Sequence, residues 1–253
     1  MLRNIIAILL SLAASTGVVV AGEVRLLAAN AVQDPLDRIA QAFTRATGHK
    51  VNIVYSLTGP ILADIRAGKP IDAIVLPEPG KVALVSDGLL NDPVPVAASL
   101  AGVGVRADAP TPDVSTLEAF KALLRAAPSI SYTDPKSGGA FGQYFARALT
   151  EIGMADEVAR KAVLVPGSQR VVMAIVKGEA AIGVTFKSTI VNTAGLKFAG
   201  TLPHPLEDRE PFTAGVLKSA KEPDIARAFV ASLTAPAAAA VWTERGFAVP
   251  GSH

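Results

Sequence analysis

The chain has 253 residues, 50% of them apolar and 5% aromatic, with 24 basic and 22 acidic side chains for a net charge of +2. That length allows one large domain or two small ones around a real core, and the near-balanced charge excludes the basic stripe that nucleic-acid binding requires. With no cysteine anywhere, neither a disulfide nor a lipid-modified cysteine is available, so stability has to come from packing.

The first residues have the pattern of an export leader. Arg3 supplies a positive start, residues 5–14 an apolar run, and Val19-Val20-Ala21 a small-residue approach to a cut after Ala21 or Gly22. Residues 1–22 are therefore expected as a signal peptide. Ser11, Ser15, Thr16 and Gly17 make the stretch a poor membrane span, and no later segment is long and apolar enough to be one. The expected product is a monomer free in the periplasm of a Gram-negative-type cell.

From Val24 the chain alternates regularly. Residues 24–29 form a strand candidate, and residues 35–47 put Leu36, Ile39, Ala40 and Phe43 on one helical face before Gly48 stops the helix. The polar corner between them runs from Asn30 and Ala31 to Asp34. Residues 51–76 then read as strand, break, helix and strand: Val51, Ile53 and Val54 precede Ser56, Thr58, Gly59 and Pro60, Ile61, Leu62 and Ile65 recur at helical spacing, and residues 71–76 are apolar again. Thr58 or Gly59 is expected to be the N-cap, with Pro60 in the first turn. Such a corner, a hydroxyl and free N–H groups beyond the carboxyl end of a strand, is either an ordinary cap or an anion site. A short helix over 79–86, stopped by Asp87-Gly88, completes three βα units, which imply a parallel sheet with right-handed crossovers.

Beyond Leu90 the pattern changes. Pro93, Pro95, Pro110 and Pro112 surround a Val/Ala-rich run over 94–105, read as extended chain leaving one sheet for another. A second α/β set follows, with helices over 117–124, 140–152 and 170–177 and strands over 130–133, 162–165 and 181–186. Strands over 196–202 and 212–217 and helices over 223–233 and 236–244 close the chain, with Trp242 docking the last helix on the core.

Two further corners have site potential. In residues 133–149, Thr133 ends a strand, Gly138 and Gly139 let backbone approach a ligand closely, and the next helix starts at Ala140, so Ser137, Gly138, Gly139 and Ala140 form either an anion cradle or a glycine-relaxed loop. The P-loop and dinucleotide patterns are absent. In residues 166–190, Gly167 and Ser168 start a helix and the following strand ends at Lys187, Ser188 and Thr189; Arg170 and Lys187 are either the cations that meet a carboxylate or solvated surface charges. Catalytic constellations fail. His49, His204 and His253 are scattered, HExxH and GxSxG are missing, and Asp37, Asp64 and Asp72 are expected to face solvent. The expectation is a binding protein with no metal and no cofactor.

Three stretches, LLAANAVQDPLDRIAQAFTRATGHKV, SLTGPILADIRAGKPIDAIVL and GEAAIGVTF, resemble the periplasmic molybdate-binding protein and its relatives among the type II solute-binding proteins of ABC-type transporters. Gly68, Pro70 and Asp72 fit that family's Gly-x-Pro-x-Asp turn. The resemblance implies an α/β fold of two lobes, each a mainly parallel sheet flanked by helices, joined by two crossover strands. It also implies capture of a small anion in the cleft for a membrane permease. Lobe one would be residues 23–102 plus 201–253 and lobe two residues 103–200, with hinges at 103–106 and 198–201.

In that family serine and tyrosine hydroxyls and backbone N–H groups hold the oxyanion. Carried over, the first serine falls on Asn30 or Ala31, the second on Thr58 and the tyrosine on Phe186. The TDPKSGGAFGQYF corner is similar to a divergent branch of the family that binds organic acids such as tricarboxylates, and a larger anion would explain the loss of hydroxyls at two of these places with Lys187, Ser188 and Arg170 nearby. Ligand contacts are thus expected from Asn30, Ala31, Thr58 and Gly59 in lobe one, and from Ser137, Gly138, Gly139, Ala140, Arg170, Lys187 and Ser188 in lobe two. Molybdate or tungstate is the alternative ligand, and a periplasmic sensor or enzyme the alternative class.

Overall fold

The structure, a computed structural model, describes residues 21–137 and 140–251; most of the expected leader, and Gly138 and Gly139, lie outside that range. Strand β1 (Glu23–Ala29) leads through a 3-10 turn (Asn30–Val32) into α1 (Gln33–Thr47), followed by β2 (Lys50–Ser56), α2 (Thr58–Arg66), β3 (Ala73–Pro77), α3 (Glu78–Ser86) and the long β4 (Leu90–Arg106). Next come α4 (Leu117–Ala126), β5 (Ile130–Thr133), α5 (Ala140–Glu151), α6 (Ala155–Ala159), β6 (Ala162–Val165), α7 (Ser168–Val176), β7 (Ile182–Phe186) and α8 (Lys187–Val191). The chain returns through β8 (Leu196–Thr201) and β9 (Arg209–Leu217) to α9 (Pro223–Ser232), α10 (Pro236–Glu244) and β10 (Phe247–Ala248).

In the first lobe β1 pairs in parallel with β2 and β3, while β9 enters antiparallel between β3 and β4. Central β3 is buried at every position, as a strand covered on both faces must be. The apolar stripe of α1 packs with Phe229 and Trp242 on one face, and Ile61, Ile65 and Leu84 cover the other. Gly48 ends α1 at φ 76°, a left-handed conformation that suits glycine. Trp242 is fully buried, and its indole N–H donates to the Leu233 carbonyl at 3.0 Å, fixing α10 as its position predicted.

β4 belongs to both lobes. Residues Leu90 to Leu100 pair with β9, whereas Ala101 to Val105 pair with β7 and Gly102 to Arg106 with β8. The change of sheet falls at Leu100–Ala101, so the hinge segment expected at 103–106 lies inside the second sheet. Gly102 sits at this crossing because a Cβ there would run into the Gly200 carbonyl oxygen. The second lobe places β5 between β6 and β7, all parallel, over a core containing Phe120, Phe141 and Phe145.

Two local expectations need correction. The N-cap of α2 is Leu57, extended at φ −78° and ψ 152° with no side-chain bond; Thr58 is the first helical residue, so its hydroxyl is not a cap. Asp72 does not face solvent. It is 3% exposed, and its carboxylate accepts from the backbone N–H groups of Arg25 (2.9 Å), Lys221 (2.7 Å) and Glu222 (3.2 Å), which neutralise the cost of burial by charge-assisted bonds. The short α6, α8 and β10 were not foreseen, because one turn of helix or two residues of strand leaves no periodic signal.

Candidate functional site between the lobes

A groove of about 290 Å³ opens where the lobes face each other. Lobe one supplies Asn30, Ala31 and Asp34, from the turn that ends β1 and the first turn of α1; lobe two supplies Gln169 from α7 and Ser188, Thr189 and Asn192 from α8 and its end. The positions follow from the chain order, since each segment lies just past the carboxyl end of a parallel strand, where crevices form in open α/β sheets. The lining is mainly amides and hydroxyls. Its carboxylate, Asp34, is already compensated, with Arg245 Nε at 2.9 Å and Arg38 Nε at 3.5 Å. Such a surface suits a polar guest held by neutral donors.

The expected residues are only partly brought together. Asn30, Ala31 and Ser188 line this groove; Thr58 and Gly59 do not. Thr58 turns its methyl toward α3, where a Cβ on Gly80 would lie 2.9 Å from it, and Gly59 is exposed beside Leu57. Ser137 is exposed, its hydroxyl donating to the Asp134 carbonyl at 2.7 Å, and Ala140 is the first residue of α5. Gly138 and Gly139 lie outside the described residues. Neither expected cation faces the groove: Arg170 is exposed in the first turn of α7, and the Lys187 ammonium sits 5.4 Å from the centroid of the Phe198 ring. Phe186 packs on Phe141, with ring centroids 4.9 Å apart, and offers only hydrocarbon.

Other groups had no sequence signal. Gln169 and Asn192 are ordinary helix-surface residues until the lobes are placed together, whereas Asp34 closes the polar corner already read between β1 and α1. The hydroxyls of Ser131, Thr133 and Thr185 are buried with no partner. Ser131 pairs across β5 and β7 with Gly183, so Thr133 and Thr185 come next along the two strands, on the sheet face that α7 covers through Val171 and Ile175.

One cluster of titratable groups with shifted affinity lies away from the groove, at the return crossing. Burial raises the carboxyl of Asp208, and burial with the nearby Asp208 charge raises that of Glu210. The Tyr144 phenol, raised by burial and then by Asp208, Glu151 and Glu207 against an opposing Arg147, donates to the Leu206 carbonyl at 2.9 Å. Among the described residues no group of three or more His, Asp or Glu is placed to hold a metal ion, and no single helix is long and apolar enough to cross a membrane.

Comparison with known proteins adds a family and a fold. Residues 24–248 match the family model described as bacterial extracellular solute-binding protein. An aconitate isomerase from a Pseudomonas species is 26% identical over 232 residues, covering 87% of this chain and 86% of the relative. A substrate-binding domain assigned to a molybdenum ABC transporter of Clostridium difficile superposes with a TM-score of 0.80 at 19% identity, over 90% of this chain and 99% of that one. The periplasmic molybdate-binding protein of Azotobacter vinelandii gives 0.68 at 21% identity, again over 90% and 99%. At these identities the solved structures speak for the two-lobed α/β fold.

Proposed function

The chain belongs to the bacterial extracellular solute-binding protein family, and from that premise we propose that it captures a small organic di- or tricarboxylate outside the cytoplasm and delivers it to a membrane permease. The observation that carries this reading is the groove itself, open to both lobes and lined by amides and hydroxyls at the ends of parallel strands. The relative named aconitate isomerase supports the preference for a carboxylate over a single tetrahedral oxyanion. A ligand touching Asn30 from one side and Ser188 from the other favours the shut state through contacts that only that state makes.

Molybdate or tungstate is the second reading, favoured by a lining of neutral donors rather than cations. Catalysis has less support, because Asp34 is the carboxylate of the groove and is engaged by arginines, leaving no free acid and base facing one another. Isothermal titration with citrate, trans-aconitate, succinate, sulfate and molybdate separates these readings. Heat with one or more of the carboxylates and none with molybdate is expected. Micromolar molybdate binding with no carboxylate heat would overturn the proposal, and conversion of trans-aconitate to its cis isomer would replace binding with catalysis.

A further inference from the structure

Beside the groove one small network joins the two lobes directly. Arg245, at the end of α10 in lobe one, donates from Nη1 to the side-chain oxygen of Asn192 at 2.9 Å, while the Asn192 amide nitrogen donates back to the Arg245 carbonyl at 3.2 Å. Asn192 itself is tied to lobe two, because the same nitrogen donates to the Ser188 carbonyl at 2.7 Å. Arg245 is tied to lobe one by charge, because Nε lies 2.9 Å from the Asp34 carboxylate on α1, in an ion pair without hydrogen-bond alignment. The Arg245 side chain is 19% exposed and Asn192 is exposed, so the Arg245–Asn192 bond is a charge-assisted contact at the edge of the groove.

The backbone is shaped for the contact. Gly246, at φ 84°, follows Arg245, and a Cβ there would lie 3.0 Å from Ser188 Cα, 3.1 Å from its nitrogen and 2.9 Å from Val191. Only glycine lets the chain leaving α10 lie against α8 this closely. Three residues of this network, Asp34, Ser188 and Asn192, also line the groove.

We propose that the reciprocal Arg245–Asn192 couple is a latch between the lobes that sets the balance of open and shut states and thereby the affinity of the groove. The latch holds the lobes together before any ligand arrives. A ligand then binds a cleft already biased to close, and affinity rises in proportion to the fraction that is shut. Its consequence for affinity rests on the binding reading above; the latch itself rests on the contacts between the lobes.

The chain lacks cysteine, so Gln41→Cys on α1 and Lys177→Cys at the end of α7, both exposed, accept a pair of spin labels without background. The interlobe distance distribution is measured on ligand-free protein, alone and with Asn192→Ala, Arg245→Lys or Thr150→Ala. Asn192→Ala and Arg245→Lys are expected to shift the distribution to longer distances, while Thr150→Ala on α5, outside the groove, whose exposed hydroxyl donates to the Ala146 carbonyl of its own helix, leaves it in place. Citrate affinity should fall about tenfold in Asn192→Ala, the change that 1.4 kcal/mol produces. If both latch variants fold with an unaltered melting midpoint and an unaltered distance distribution, the latch is refuted. A shift without any citrate binding retains the latch and rejects the ligand; citrate binding without a shift does the reverse.

Discussion

The two lobes bury polar groups in opposite ways. In lobe one the Asp72 carboxylate is enclosed and meets three backbone N–H groups, two of them on the segment leading into α9. In lobe two the hydroxyls of Ser131, Thr133 and Thr185 are equally enclosed and meet none. Buried polar groups without partners are rare enough to require a reason. The contrast teaches that the Asp72 carboxylate of lobe one holds three segments of chain together, whereas lobe two keeps three hydroxyls unpaired under α7.

That contrast breaks most sharply at Asp72. Asp72→Ala leaves three buried donors unpaired and is expected to cost about 3 kcal/mol or more of folding stability, read by urea denaturation. The next largest effect is expected at the shared strand: Gly102→Ala forces a methyl against the Gly200 carbonyl oxygen and the Phe198 ring and should cost about 1–3 kcal/mol, the range for overpacking. A loss below a few tenths there would mean that the crossing is loose rather than fitted.

A smaller effect concerns pH. Asp208 and Glu210 have carboxyls raised above their ordinary values, so the folded chain holds their protons more tightly than the unfolded chain does. Their burial therefore costs nothing below the unfolded carboxylate range, and the cost grows as pH rises through the raised folded values. Glu210→Gln should stabilise the protein at pH 7 and leave it nearly unchanged below pH 4, as seen by melting midpoints across pH. The smallest effect is expected in lobe two. Thr185→Val removes a hydroxyl that has no partner at nearly constant shape and should change stability by less than about 1 kcal/mol in either direction. A larger loss would show that this hydroxyl is bonded after all, and the contrast between the lobes would narrow.

Long elements were legible and short or paired ones were not. The stripe of α1, the glycine stop at Gly48, the extended run through 94–105 and the docking role of Trp242 all follow from local pattern, because apolar period and chain punctuation are properties of neighbouring residues. Of the expected ligand contacts, Asn30, Ala31 and Ser188 meet in the groove; Thr58 does not, since the break at 56–60 caps its helix through Leu57 and turns the threonine methyl to α3. Lys187 read as a carboxylate partner and instead covers Phe198.

Sequence alone determined the alternation of strands and helices, the glycine stops at helix ends, and the family, since these depend on residues close together in the chain. Only the tertiary structure decided that Asp72 is buried, that the change of sheet along β4 falls at Leu100–Ala101, and that Asn192 meets Arg245 beside the groove. The physical reason is distance: Asn192 and Arg245 are separated by 53 positions along the chain, and nothing in either local pattern states that the folding of two sheets about one strand brings them within a hydrogen bond.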